Sequence, residues 1–235
     1  MYKNILAAAF VFAAASVNAQ KEAETIEGNG KLVTKEIPVS SFESLKASGV
    51  YELKLSQGGK ELVKIEADEN LQQYFNVHNE GKQLVIEMKD IKDKNLKLKD
   101  KIRVYVTFKN LKEMDLKTVG NVASEAPLTF SDLNITNKSV GHVDLNLSAN
   151  TINLKNNSVG EVKLAGKAQN AVVTNHGVGH LQAGGFVVQT MSIDNSGVGG
   201  AEVNAEKELK VKDNMLGRVK NRGVAPVKKN NKVVI

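Results

Sequence analysis

A five-residue phrase built around a glycine returns six times between residues 118 and 219 and constrains the fold more than any other feature. Its copies read TVGNV, SVGHV, SVGEV, GVGHL, GVGGA and MLGRV, and their glycines are 21, 19, 19, 20 and 18 residues apart. A period of about 20 residues is typical of chains that stack one short structural unit on the next. The six predicted turn glycines are Gly120, Gly141, Gly160, Gly179, Gly199 and Gly217.

Apolar and polar residues alternate after each glycine. In the third copy, Val162 and Leu164 alternate with Glu161 and Lys163, and most other copies keep the same order. A period of two residues predicts a strand with one buried face. Because a second apolar pair follows later in each copy, the pattern predicts two strands and two turns per copy.

An asparagine follows the second apolar pair at one fixed place in successive copies. An amide that recurs at one position predicts a ladder at a turn, in which each side chain bonds its neighbours above and below. The glycine four residues further on allows the chain to turn sharply without a Cβ penalty. The predicted ladder consists of Asn137, Asn156, Asn175 and Asn195.

These patterns predict an all-β fold, a right-handed parallel β-helix (solenoid) with coils of roughly 19–20 residues and an N-terminal β-rich capping half. A left-handed helix of hexapeptides would need strict 18-residue coils, and the spacing here drifts. An antiparallel sandwich would leave the asparagine column unexplained.

The start of the chain predicts export. Lys3 and the apolar run 5–17 precede Val17-Asn18-Ala19, which fits the cleavage rule of a secretory signal peptide, so Gln20 is the predicted mature start. No other stretch is long and apolar enough to span a bilayer. The expected location is the periplasm, the cell surface or the extracellular space. The predicted segments are a signal peptide 1–19, a flexible lead-in 20–31 and one domain 32–235, divided into an N-terminal β half 32–117, repeat coils 118–223 and a basic tail 224–235.

Composition excludes several kinds of chemistry. The chain has no cysteine, so it carries no disulfide, no thiolate metal site and no cysteine-linked lipid. Its net charge is +6, and the lysine-rich tail could meet anionic polysaccharide or lipid headgroups, or could simply be a solubilising cap. Nucleic acid is not an expected partner, because the repeats hold few aromatic residues. No cofactor motif is present.

One cluster of outward positions on three adjacent coils is the predicted ligand face. It comprises His142, Asp144, Glu161, Lys163 and His180. Strand geometry puts Asp144 and Glu161 about 8 Å apart, a separation at which carboxylates can serve glycoside hydrolysis. The two histidines are expected too far apart to share a metal ion. Alternatively, opposite charges on neighbouring strands pair with each other. Among functional roles, ligand contact is the one we expect for this cluster, with no catalytic, cofactor or metal residue, and simple charge pairing on a solvated face stays open as the alternative.

The chain resembles a bacterial family described as putative auto-transporter adhesin, head GIN domain, over roughly residues 37–226. The stretch FESLKASGVY (residues 42–51) is similar to that family's opening, as is VKIEAD (63–68) followed by Leu71. The family's Gly-Ser-Gly turns correspond to Ser-Val-Gly and Gly-Val-Gly here, so the middle serine is mostly valine in this chain. The resemblance implies a right-handed β-helix without an established catalytic set, and a role in adhesion.

Two functions follow as hypotheses. The first is an exported, non-catalytic adhesion module that binds a polysaccharide or a cell-surface protein. The second is a polysaccharide-active hydrolase or lyase of the β-helix type. The sequence favours the first, because it shows no dense cluster of carboxylates.

Overall fold

The computed structural model describes residues 24–91 and 94–229 of the 235-residue chain. The predicted signal peptide, its cleavage point and the last six residues of the basic tail lie outside the described residues. Within the described ranges the chain forms 19 β-strands and one 3-10 helix at Glu69–Tyr74, between the fifth and sixth strands.

Short strands make up the part of the chain before the first glycine phrase. They are β1 Thr25–Glu27, β2 Leu32–Pro38, β3 Ser44–Val50, β4 Glu52–Gln57, β5 Leu62–Asp68, β6 Phe75–Glu80, β7 Gln83–Met88, β8 Asn95–Lys97 and β9 Arg103–Phe108.

The described part of the chain after β9 contains ten strands, four of which are long at 13 to 15 residues. They follow in the order β10 Glu113–Val119, β11 Val122–Ser124, β12 Leu128–Thr129, β13 Asp132–Asn137, β14 Val143–Asn156, β15 Val162–Asn175, β16 Leu181–Asn195, β17 Ala201–Asp213, β18 Val219–Asn221 and β19 Val227–Lys229.

Strands β14 to β17 lie side by side in parallel, with equivalent residues of successive copies opposite each other. Val143 pairs with Val162, and Asn156 with Asn175, over the whole length of β14 and β15. Strand β16 holds one additional residue. The number of residues between paired positions on β15 and β16 therefore changes after Lys163. Apolar side chains on alternate positions of these strands are buried, as the two-residue period predicts.

Two rows of strands converge on β14. Its first half pairs with β11, which leads through β4, β9 and β5 to β2. Its second half pairs with β13, which leads through β10, β3 and β7 to β6. Strands β18 and β19 pair with β17 at the other end. Strands β1 and β8 form a separate parallel pair.

The predicted right-handed parallel β-helix is wrong. The chain is all-β, but 17 strands form one nearly closed, barrel-like sheet that mixes parallel and antiparallel pairs. Antiparallel pairing joins β2 to β5, β5 to β9 and β6 to β7. The β6–β7 hairpin closes through Gly81, whose φ of +59° suits a tight turn.

The two strands predicted for each later copy are one strand instead. Strands β14, β15 and β16 run without interruption for 14, 14 and 15 residues. In β14 the middle stretch LSANT (residues 147–151) contains neither glycine nor proline, so nothing ends the strand between the two apolar pairs.

The interior is one continuous apolar cluster shared by both parts of the chain. Phe42, Phe108 and Phe186 are among its largest buried side chains. The rings of Phe108 and Phe130 stack with centroids 5.9 Å apart, which links β9 to the segment after β12. This contact fixes one wall of a groove that is described below.

No helix in the described ranges is long and apolar enough to cross a bilayer.

Candidate functional site

The five residues of the predicted ligand face lie on the outer side of β14, β15 and β16 or at the residue before them; we call this set the charged strip. Asp144 and Lys163 pair in register on β14 and β15. His142, Glu161 and His180 each lie one residue before a strand. The structure therefore brings all five together on three neighbouring strands.

Backbone hydrogen bonds hold the strip in place. Val143 N donates to Glu161 O at 2.9 Å, and Val162 N donates to His180 O at 2.9 Å. These bonds link each strand entry to the next, so the side chains project from a rigid backbone. His142 and His180 are exposed, whereas Glu161 is half-buried.

The carboxylates of the strip are already engaged. Lys163 Nζ lies 3.1 Å from Asp144 Oδ2, and Gln182 Nε2 donates to Glu161 Oε2 at 2.6 Å. Asp144 thus pairs with an opposite charge on the neighbouring strand, whereas Glu161 is bonded to a neutral amide. The arrangement offers both charge signs and two imidazoles to a polar ligand.

A shallow cleft of about 470 Å³ extends the strip beyond His180. Its lining includes Gln182, Glu202 and Arg222. Arg222 Nε lies 2.6 Å from Glu202 Oε1, so this cleft too is bordered by a paired charge. Glu202 and Arg222 fall outside the predicted ligand face, although Glu202 stands in the same column as Asp144 and Lys163.

In the described part of the chain, no group of three or more His, Asp or Glu side chains is placed to hold a metal ion.

The four asparagines of the predicted ladder form one hydrogen-bonded row. Asn137 Nδ2 donates to Asn156 Oδ1 at 2.8 Å, Asn156 Nδ2 to Asn175 Oδ1 at 2.7 Å, and Asn175 Nδ2 to Asn195 Oδ1 at 2.6 Å. All four are between 0% and 4% exposed. Asn195 completes the row by donating to Gly217 O at 2.6 Å. The row is a structural element, since its amides have no free face for a ligand.

Four of the turn glycines follow the asparagines of this row by four residues in the sequence. Neighbouring turns approach each other so closely that a side chain at these positions would clash. Five of the six have φ between +126° and +143°, and Gly217 is the exception. A Cβ on Gly160 would lie 2.2 Å from the carbonyl oxygen of Gly141, and one on Gly179 would lie 2.2 Å from that of Gly160. Only glycine fits such a position without displacing the backbone.

The valines that stand directly before the turn glycines form an exposed row, which the sequence pattern alone does not predict. Its members pair through single parallel bridges, so each side chain covers part of the next. Each valine is about half exposed, between 49% and 52%. The row consists of Val119, Val140, Val159, Val178 and Val198.

A groove of about 740 Å³ lies at the middle of β14, β15 and β16, away from the charged strip. Its lining includes the apolar residues Phe130, Ala149 and Ala168 and a column of amides formed by Asn150, Gln169 and Gln189. We call it the amide groove. No sequence pattern predicts this groove, because the copies differ at the positions that line it.

A second, smaller groove of about 380 Å³ adjoins the first, and the two share Thr129 and Phe130 in their linings. Several of the charged side chains that line it are paired. The ammonium groups of Lys112 and Lys82 hydrogen-bond the Glu43 carboxylate and lower its pKa to about 2. The Glu61 carboxylate accepts a hydrogen bond from Ser41 Oγ at 3.0 Å.

Fold and surface together define an all-β protein whose exposed strands display ordered columns of polar side chains. A family model described as putative auto-transporter adhesin, head GIN domain, matches residues 41–225. Since this match covers most of the chain, the protein belongs to that family, and the resemblance seen in the sequence is confirmed.

Solved structures support the same assignment. The chain is similar to a putative adhesin from Bacteroides fragilis, with 27% identity, a TM-score of 0.73, and coverage of 87% of this chain and 100% of that chain. A putative adhesin from Parabacteroides distasonis shares 21% identity, with a TM-score of 0.59 over 88% of this chain and 96% of that one. A structure described as a putative lipid binding protein from the same species shares 20% identity, with a TM-score of 0.64 over 88% and 95%. The last two show the fold alone. No curated protein matches the chain.

Proposed function

We infer that this protein is an exported, non-catalytic binding module of the adhesion type, which attaches to a cell-surface component through the charged strip. Membership of a family of putative adhesins supports this role, as does the likeness to the B. fragilis adhesin structure. Export is part of the proposal and rests on the sequence pattern of residues 1–19.

The observation that carries the proposal is that both carboxylates of the charged strip are held by hydrogen bonds. Asp144 and Glu161 are each bonded to a neighbouring strand's side chain, and they project from backbones held in register. Paired, half-exposed charges on a rigid surface suit recognition of a polar partner, because little ordering is needed on binding. Carboxylates that are paired in this way are poorly suited to act as a catalytic acid and base, which must exchange protons with a substrate.

Binding of the purified protein to intact cells and to immobilised polysaccharides tests the proposal. We expect Glu161→Ala with His180→Ala to weaken retention on the surface that the wild type binds, with an almost unchanged melting curve, since both side chains lie at the surface. The matched control is His176→Ala with Glu206→Ala, which removes the same two residue types away from the strip.

The polysaccharide assay also measures the release of reducing ends. Release that is lost in Asp144→Ala or Glu161→Ala, while binding persists, would show that the protein is an enzyme. Equal retention of the strip variant and the wild type would show that the strip is merely solvated.

A further inference from the structure

We propose that the amide groove is a binding site for an uncharged oligosaccharide. This inference rests on the proposed function as a binding module, and it adds a site that is separate from the charged strip. It follows from three observations about the groove: a fixed apolar floor, a row of amides that have no hydrogen-bond partner among the described residues, and a lining that is nearly free of charge.

The floor is rigid and apolar. Ala149 and Ala168 pair in register on β14 and β15, and their small side chains leave the groove concave. Phe130 closes one end; it is 7% exposed, stacks on Phe108, and its N–H donates to Ser148 O at 2.8 Å. The C–H faces of sugar rings pack on surfaces of this kind, since burying apolar area is favourable.

The neighbouring residue Thr129 is held as firmly as Phe130. Gln57 Oε1 accepts from Thr129 N at 2.8 Å, while Gln57 Nε2 donates to Thr129 O at 2.9 Å. This two-bond clamp from β4 fixes the entry to the groove before any ligand arrives. A preformed site avoids much of the ordering cost of binding.

The amides stand at matching positions on three consecutive strands. Asn150 and Gln169 lie between the register pairs Ala149–Ala168 and Thr151–Asn170, and Gln189 occupies the same place on β16. Neighbouring strands are about 4.8 Å apart, so the amides form an evenly spaced row.

These amides are free to bind a ligand. In the described part of the chain, the side chains of Asn150, Gln169 and Gln189 make no hydrogen bond to other protein groups, in contrast to the saturated row that contains Asn156 and Asn175. Each amide offers two donors and an acceptor in one plane. Sugar hydroxyls both donate and accept, so they match such a row better than a purely anionic or purely apolar ligand does.

The charge of the lining decides between ligand classes. Lys167 is its one charged residue among those described, and it lies between Ser148 and Val187 in register. One lysine does not neutralise a polyanion, and a polar amide edge is unsuited to an acyl chain. The volume of about 740 Å³ lies within the range typical of small-molecule sites.

A printed array of neutral tri- and tetrasaccharides tests the proposal, with sulfated oligosaccharides on the same array. We expect the wild type to bind members of the neutral set. The triple variant Asn150→Ala, Gln169→Ala, Gln189→Ala is expected to bind them about tenfold more weakly or not at all, because each lost amide leaves ligand hydroxyls without partners.

The matched control removes three exposed asparagines that do not line the groove: Asn146→Ala, Asn157→Ala, Asn170→Ala. It should bind the array like the wild type, and both triple variants should keep the wild-type melting temperature. Three results would overturn the proposal: no binding to any neutral oligosaccharide, binding to the sulfated set alone, or undiminished binding by the amide variant.

The strip variant Glu161→Ala with His180→Ala separates this inference from the proposed function. If retention on cells depends on the strip while the neutral array stays blank, the groove inference fails and the adhesion role stands. If the neutral array is bound and neither cells nor polysaccharides retain the protein, the adhesion role fails and the groove stands.

Discussion

Asn156 Nδ2 donates a hydrogen bond to Asn175 Oδ1 across two neighbouring strands, at 2.7 Å. Both side chains are buried, so neither amide can turn to water if its partner is lost. This bond and its equivalents on either side tie successive strands together at one edge of the turn. The row therefore fixes the register in which the strands stack.

The first prediction concerns this row. Replacing Asn175 by Leu leaves the Asn156 Nδ2 donor and the Asn195 Oδ1 acceptor buried without their hydrogen bonds. We expect the free energy of unfolding to fall by about 1–3 kcal/mol. Urea denaturation measures the change. Asn170→Leu, at an exposed position on the same strand, should cost far less, and equal losses for the two variants would contradict the role given to the row.

A second prediction concerns the turn glycines. Gly160→Ala places a Cβ 2.2 Å from the carbonyl oxygen of Gly141, at a φ of +131°. Because both the contact and the dihedral angle are unfavourable for alanine, we expect a loss of about 1–3 kcal/mol in the free energy of unfolding. Gly59→Ala is the control, since a Cβ there meets nothing within 4 Å. A melting temperature of Gly160→Ala as high as that of the control would argue against a required glycine.

The third prediction is a dependence of stability on pH. Lys112 and Lys82 lower the pKa of Glu43 from 4.5 to about 2 in the folded protein. A carboxyl whose folded pKa is depressed contributes stability that is fully present above its unfolded pKa and is lost as the pH falls through its folded pKa. The contribution of Glu43 should therefore disappear between pH 4.5 and about pH 2.

Urea midpoints measured across that window test the assignment. Glu43→Gln should lose less stability than the wild type as the pH falls, because it has no charge to give up. The control is Glu36→Gln, which removes an exposed glutamate that forms no ion pair within the described ranges. If Glu43→Gln and the wild type respond to acid in parallel, the two lysines do not stabilise the charged carboxyl.

The fourth prediction concerns export. Val17-Asn18-Ala19 should be followed by cleavage, so the protein recovered from an envelope or secreted fraction should begin at Gln20. Intact-mass measurement checks the start of the chain. A mass that retains the first 19 residues would refute the prediction.

Local structure could be predicted from the sequence where a two-residue period is long and regular. The buried positions Val143, Val162 and Leu181 follow directly from it, and the register pairs them with one another. The closure of the sheet could not be predicted in this way. It depends on antiparallel pairs such as Leu32–Asp68, between residues whose order in the chain carries no periodic signal.

The two candidate binding surfaces also differ in how far the sequence predicts them. The charged strip was recognised because its residues stand at fixed offsets from the glycines. The amide groove was not, since Gly184 adds a residue to β16 and shifts Gln189 from the spacing of the earlier copies. Its end wall, Phe130, follows β12, and it is held at the groove both by its N–H bond to Ser148 O on β14 and by its stacking on Phe108.

The uniform offset between β14 and β15 has a consequence for how the length of this chain can change. Every residue of β14 faces the residue 19 positions later, from Val143 with Val162 to Asn156 with Asn175. If residues 157–175 were lost in one piece, Asn156 would be followed directly by the turn that enters β16. Asn195 would then lie opposite Asn156. A segment of this size thus keeps the remaining partners matched at every position, whereas the one residue added inside β16 requires a local shift of register after Lys163 before the columns match again.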